Sequence, residues 1–188
     1  MPDDSARGAQ IAGDWIDEAR RVLSPNCDSR PAGTEVSLLI LHSISLPRGD
    51  YRGDAIERLF TNRLDGSAHR SFAELAGLRV SSHFLVRRDG ELIQFVPLAA
   101  RAWHAGASRW RGRERCNDFS VGVELEGVDD GDFENAQYVS LHLLVATLRS
   151  ILPLREIAAH SDVAPGRKSD PGTHFDWARL LRQLARAA

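Results

Sequence analysis

The sequence predicts an α/β domain (α+β in stricter usage), a single unit with one central mixed β-sheet flanked by helices. Three observations carry that expectation: a strand-length apolar run at 36–44, a hairpin signature at Asp89-Gly90, and amphipathic helical patterns at 135–153 and 174–187. Strands interleaved with helices favour parallel pairing, while the hairpin adds an antiparallel pair. A chain of 188 residues suits one domain with a sizeable core.

Residues 1–13 are small and polar without periodicity and read as a flexible start, leaving 14–188 for the domain. "SPNCDSRPAG" (24–33) is loop chemistry by its Pro, Asn, Asp and Gly content. "VSLLILHSI" (36–44) is apolar on both faces, as a central strand covered from two sides must be, and His42 stands near its end. "SLPRGDYRGD" is a second loop, and "DAIERLFTN" is a short helix with Asp54 as its candidate cap. "LRVSSHFLVRRDGELIQFVPL" (78–98) reads as two strands joined by a two-residue type I′ turn at Asp89-Gly90. The stretch that follows, "AARAWHAGASRWRGRERCND", is a long loop of a length more often functional than idle. "FSVGVELEG" (119–127) alternates, with Val121, Val123 and Leu125 on one face and Glu124 and Glu126 on the other. "NAQYVSLHLLVATLRSILP" is a helix ended by Pro153, a helix-like apolar run leads to His160, and "HFDWARLLRQLARA" closes the chain as an amphipathic helix.

Composition excludes several classes. With 43% apolar and 27% charged residues the chain is an ordinary globular one, and a net charge of -2 gives no electrostatic reason to expect nucleic acid. The four arginines of "SRWRGRER" (108–115) read equally as a solvated loop or as a patch that grips a carboxylate-bearing ligand. Cys27 and Cys116 lack C-x-x-C spacing, so neither a disulfide framework nor a cysteine zinc site is expected, and a reducing compartment fits. Without an apolar leader segment or a run of about 18 apolar residues, the expectation is a cytoplasmic protein that does not engage a membrane. No long heptad or exposed apolar stripe demands a partner, so a monomer is expected.

The chemistry-bearing residues gather at element ends. His42 leaves a buried strand, His160 ends the helix-like stretch, and Asp170 lies ten residues further on before Pro171. Two imidazoles and a carboxylate suit a catalytic zinc, which takes three protein ligands and keeps one position open. Each has a plainer reading as a hydrogen-bonded histidine or a turn aspartate, and no short-spaced motif such as H-E-x-x-H supports the set. Lys168 is a cation suited to charge developing on a carbonyl oxygen, and either Glu124 or Glu126 suits a general base; periodicity does not choose between them, since they share a face. His83 reads as a partly buried strand histidine, His104 as a loop-ordering residue with access to substrate, and His69, His142 and His174 as structural or solvent-facing. No G-x-S-x-G elbow and no phosphate-binding glycine loop is present.

"LILHSISLP", "LRVSSHFLVRRDGELIQFVPL", "RAWHAG", "GRERCNDFSVGVELEG" and "AHSDVAPGRKSDPG" follow one another as in the zinc-dependent N-acetylmuramoyl-L-alanine amidases, and the chain resembles their AmpD type, the 1,6-anhydro-N-acetylmuramoyl-L-alanine amidases of cell-wall recycling, from about Trp15 to Trp177. The resemblance implies one Zn2+ held by His42, His160 and Asp170, Glu124 as general base, and Lys168 polarising the scissile carbonyl. It implies hydrolysis of the amide between anhydromuramic acid and the L-alanine of an anhydromuropeptide, with Arg79 and Arg115 on the stem peptide and Trp103 near the sugar. Ser82 stands where the wider superfamily often has a catalytic Tyr, and Ser43 where AmpD-type relatives typically show Asn; neither position is a proposed ligand. A lytic amidase acting on polymeric murein and a non-catalytic peptidoglycan-binding module are the alternatives.

Overall fold

A computed structural model describes residues 14–186. The expected flexible start at 1–13 lies outside the described residues. The strands are β1 (Arg20–Arg21), β2 (Cys27–Ser29), β3 (Leu38–Ile44), β4 (Phe84–Val86), β5 (Leu92–Gln94), β6 (Ala100–Ala102), β7 (Arg109–Trp110), β8 (Arg113–Glu114), β9 (Ser120–Glu126) and β10 (Glu156–Ala159). The helices are α1 (Ala55–Phe60), α2 (Asn135–Ile151), α3 (His160–Val163) and α4 (Trp177–Arg186). Six strands form one sheet in the order β1-β5-β4-β9-β3-β10, parallel throughout except for the antiparallel β4–β5 pair, so the sheet is mixed as expected.

The two longest strands lie inside the sheet; β9 is buried along its length and β3 is buried up to His42. Leu39 and Leu41 of β3, Val121 and Val123 of β9, and Phe84 and Val86 of β4 share one face, which packs on Leu141, Leu144, Val145 and Leu148 of α2 and on Leu180 and Leu184 of α4. Burying each such side chain contributes about 1.5–3 kcal/mol, so this layer dominates the apolar stabilisation. The opposite face carries two smaller clusters. One sets Leu85, Ile93 and Phe95 against Ile56, Leu59 and Phe60 of α1. The other sets Leu38, Ile40 and Ala158 against Cys116 and Phe119. Among the described residues no helix is long and apolar enough to cross a membrane.

Several local expectations need correction. The stretch before His160 is not helical: Glu156–Ala159 is strand β10, paired in parallel with Leu38–Leu41. Its four residues are too few to display a period of two. The β4–β5 connection is not a two-residue type I′ turn. Gly90 alone has positive φ, Gly90 N–H donates to Arg87 O and Arg87 N–H to Glu91 O, which describes a three-residue loop with glycine at the left-handed position. Asp54 sits at the N-cap of α1 without capping it, because its carboxylate takes Arg58 Nε at 2.7 Å instead. Helix α4 begins three residues later than its apolar pattern, since Asp176 accepts the Arg179 N–H and Phe175 turns into the core. The long loop at 99–118 holds β6, the β7–β8 hairpin and a 3₁₀ turn at Cys116–Phe119.

Candidate metal centre

Strands β3, β9 and β10 are parallel, so their C-terminal ends share one edge of the sheet, the place where parallel sheets gather ligand sites. His42 lies near the end of β3, and His160 follows directly on β10 as the first residue of α3. Pairing of Ala159 with Leu41 therefore sets His160 beside His42, although 118 residues separate them in the chain. The excursion from His160 to Asp170 is folded back by Ser161 N–H donating to Asp170 O at 3.0 Å.

Three donor atoms converge. His42 Nδ1 is 2.8 Å from His160 Nδ1 and 3.1 Å from Asp170 Oδ2, and His160 Nδ1 is 3.0 Å from that same oxygen. Donors at about 2.0–2.1 Å from a tetrahedral ion lie roughly 3.3 Å apart, so each edge of the triangle is within about 0.5 Å of a zinc set. The outer shell fits as well. His160 Nε2 faces the Ala105 carbonyl at 3.2 Å, and a carbonyl only accepts, so the ring proton sits on Nε2 and leaves the Nδ1 lone pair to the triangle. His42 Nε2 lies 2.9 Å from His104 Nδ1. Burial lowers His42 to about 4, with the Asp170 hydrogen bond opposing, so the ring is neutral as a ligand requires. Burial alone would raise the Asp170 carboxyl, but its contacts with His160 and His42 outweigh it and hold the group well below the usual carboxylate range.

Glu124 is the in-register neighbour of His42 on β9, so both side chains leave the sheet on the same side. Burial raises its pKa well above the ordinary value, the Asp170 charge adds to the rise, and Lys168 opposes it. Glu126 shares that face but is committed elsewhere: Arg87 Nη1 donates to it at 2.7 Å and the Arg88 N–H at 3.1 Å. Of the two carboxylates that alternation left open, Glu126 is paired with arginine and Glu124 is not. Lys168 is exposed and borders, with Asp170, a cavity of about 300 Å³ that Ser43, Ser45, Arg48 and Asp129 also line.

The remaining candidates stand further out. Arg79 is exposed on the segment before β4, and Ser81 of that segment donates its N–H to the carbonyl of the half-buried Trp103. Arg115 is exposed, with Nε 3.4 Å from Asp118, on a groove of about 570 Å³ that Arg109 and Arg167 also line. Within the arginine-rich hairpin, Arg109 meets Glu114, Arg111 meets Glu156, and Arg113 lies over the Phe119 ring. Ser82 is buried, with no hydrogen-bond partner for its hydroxyl. His83 is buried, accepts the Gly122 N–H at 3.0 Å and is lowered to about 3 by burial, which makes it a structural histidine.

Sequence reasoning missed two supporting residues. His104, read as ordering its loop with access to substrate, contacts the candidate ligand His42 directly. Arg30, not singled out at all, donates from a half-buried guanidinium to the carbonyls of Asn117, Asp118 and Ser120, tying down the entry to β9. A lone arginine in a Pro- and Gly-rich loop offers no signal of that kind.

The chain is similar to proteins of one family. A family model described as N-acetylmuramoyl-L-alanine amidase matches residues 32–173. The 1,6-anhydro-N-acetylmuramyl-L-alanine amidase AmpD of Salmonella typhimurium is 52% identical over 173 residues, covering 91% of this chain and 92% of the relative. The protein of the same name from Escherichia coli is 52% identical over 168 residues, covering 88% and 92%. A crystal structure of a selenomethionine AmpD derivative superposes with a TM-score of 0.88 at 49% identity, covering 92% of this chain and 97% of that one. The E. coli amidase AmiD in complex with anhydro-N-acetylmuramic acid-L-Ala-D-gamma-Glu-L-Lys superposes with a TM-score of 0.58 at 30% identity, covering 82% and 60%.

Proposed function

The chain belongs to the N-acetylmuramoyl-L-alanine amidase family, and from that premise we propose that it cleaves the amide joining 1,6-anhydro-N-acetylmuramic acid to the L-alanine of its stem peptide, as a monomeric cytosolic enzyme of peptidoglycan recycling. The observation that carries the proposal is the convergence of His42 Nδ1, His160 Nδ1 and Asp170 Oδ2 beside the arginine-free carboxylate of Glu124. The substrate class rests on the AmpD relatives, which carry it in their names and match nearly the full length of the chain.

His42, His160 and Asp170 would hold a zinc ion, which would supply Lewis acidity to acidify a water and polarise a carbonyl oxygen. The Glu124 carboxylate takes the proton as water oxygen bonds to the lactyl carbonyl carbon. As the C–N bond breaks, the same carboxyl returns that proton to the alanine nitrogen, so the products are a muramyl carboxylate and a free peptide amine. The Lys168 ammonium donates a charge-assisted hydrogen bond to the carbonyl oxygen as that atom gains negative charge, a contribution larger in the transition state than in the substrate. Trp103 borders the sugar, and Arg79 and Arg115 bind stem-peptide carboxylates.

The test compares hydrolysis of purified anhydromuropeptides with that of intact murein sacculi, with metal analysis on the same sample. Anhydromuropeptide turnover with one zinc per chain is expected. Preference for sacculi would reassign the protein to lytic activity, and affinity for muropeptide without turnover would make it a binding module.

A further inference from the structure

We propose that His104 and Ala105 form a single positioning unit for both imidazoles of the metal centre, in which His104 Nδ1 accepts the His42 Nε2–H and the Ala105 carbonyl accepts the His160 Nε2–H. The inference rests on the zinc reading above and adds two residues outside the candidate ligand set. Ligand imidazoles are ordinarily oriented by what their second nitrogen meets, and loss of such partners weakens metal binding by about 10–100-fold. Here both partners come from adjacent positions on one segment.

That segment is itself fixed from three sides. Asn117 Oδ1 accepts the backbone N–H of Ala105 at 2.8 Å and that of His104 at 3.3 Å. Arg167 donates to the carbonyls of Ala105 and Ala107 at 2.6 and 2.7 Å. The His104 ring lies flat over Gly122 of β9, where a Cβ would stand 2.5 Å from its Cγ, so only glycine admits the ring at that depth. Beyond the ring, the Ser120 hydroxyl is 3.2 Å from His104 Nε2. The chain of contacts has one consistent polarity: His42 Nε2–H donates to His104 Nδ1, and His104 Nε2–H donates to Ser120 Oγ. In that polarity the Nδ1 lone pair of His42 is left facing His160 and Asp170. His104 is a positioning residue for His42, and the glycine of the "GVELEG" strand is the space that positioning needs.

The full-length protein is stripped of metal, and zinc affinity is measured by competition with a chromogenic chelator, alongside the visible spectrum of the cobalt-substituted form. His104→Leu, which keeps bulk but removes the acceptor, is expected to weaken zinc by about 10–100-fold and to alter the cobalt bands. His104→Asn places an amide oxygen near the Nδ1 position and is expected to recover most of that loss. Wild-type affinity in a folded His104→Leu, or an equal loss in His104→Asn, overturns the proposal. Should His104→Leu fail to fold, Ser120→Ala decides: weakened zinc binding supports the relay, and wild-type affinity overturns it. A wild-type protein that binds no zinc would sink the metal reading itself, an outcome distinct from a zinc enzyme indifferent to residue 104.

Discussion

Replacing Gly122 by alanine adds a single methyl group in the middle of β9, and the surroundings determine where the strain goes. The new Cβ would stand 2.5, 2.6 and 2.8 Å from His104 Cγ, Nδ1 and Cδ2. To regain ordinary contact the ring must shift by about 0.9 Å, and a shift of that size does not preserve a 2.9 Å hydrogen bond to His42 Nε2. Overpacking of a tight interior costs about 1–3 kcal/mol, which for a domain of this size lowers Tm by roughly 2–12 °C. Calorimetry of the metal-free protein reads the packing cost, and zinc competition reads the lost orientation, expected as about a 10–100-fold weaker Kd. An alanine variant with unchanged Tm and unchanged zinc affinity would refute the reasoning, because it would mean that the ring is not held against the strand.

Other perturbations separate the roles of the site residues. Asp170→Ala removes one of three donors, so zinc content measured by atomic absorption is expected to fall well below one per chain, with loss of turnover that added zinc does not restore. Glu124→Gln is expected to lower kcat by about 10²–10⁴-fold in steady-state assays while zinc stays bound. Because burial raises the folded-state pKa of Glu124, folding of the metal-free protein disfavours its ionised form relative to the unfolded chain, and stability is lost as pH rises past the unfolded value. The metal-free Gln variant should therefore melt above wild type at pH 8, with the gap closing on acidification below about pH 4; a gap that widens on acidification contradicts the sign. Lys168→Met should reduce kcat by about 10²–10³-fold with little change in KM, and a KM effect alone would assign Lys168 to ground-state binding. Leu141→Ala, at a fully buried position of α2, should cost about 2–5 kcal/mol in denaturant unfolding without altering KM.

Much of the sheet was legible because its central strands have no alternative. Leu38–Leu41 is apolar at every position, and only a strand covered on two faces accommodates such a run at that length. The helices on its far face announced themselves by period. Short polar elements did not: β1 is two arginines and β2 is Cys-Asp-Ser, strands defined by their partners rather than by their own residues. Strand β10 is mostly apolar but has only four residues, too few to tell a strand from a helical turn, so the run before His160 reads as helix-like in sequence. The convergence of His42, His160 and Asp170 was readable only weakly from their places at element ends and more firmly from a resemblance that orders five motifs, since spacings of 118 and 10 residues carry no periodic signal. Alternation put Glu124 and Glu126 on one face correctly, but the arginine that distinguishes them, Arg87, comes from another strand end and leaves no mark near residue 126.

His42 and Glu124 are joined laterally by one step of a parallel ladder, a spacing of about 4.8 Å that is set by peptide hydrogen bonds and not by any loop. Lys168, Arg48, Arg79 and Arg115, by contrast, all sit in connections between elements. The pair proposed to carry the chemistry is thus built into the frame, while the exposed cations around it are mounted on its rim. On the proposed function, exchange of rim segments would retune which cell-wall fragments are accepted without moving His42 or Glu124.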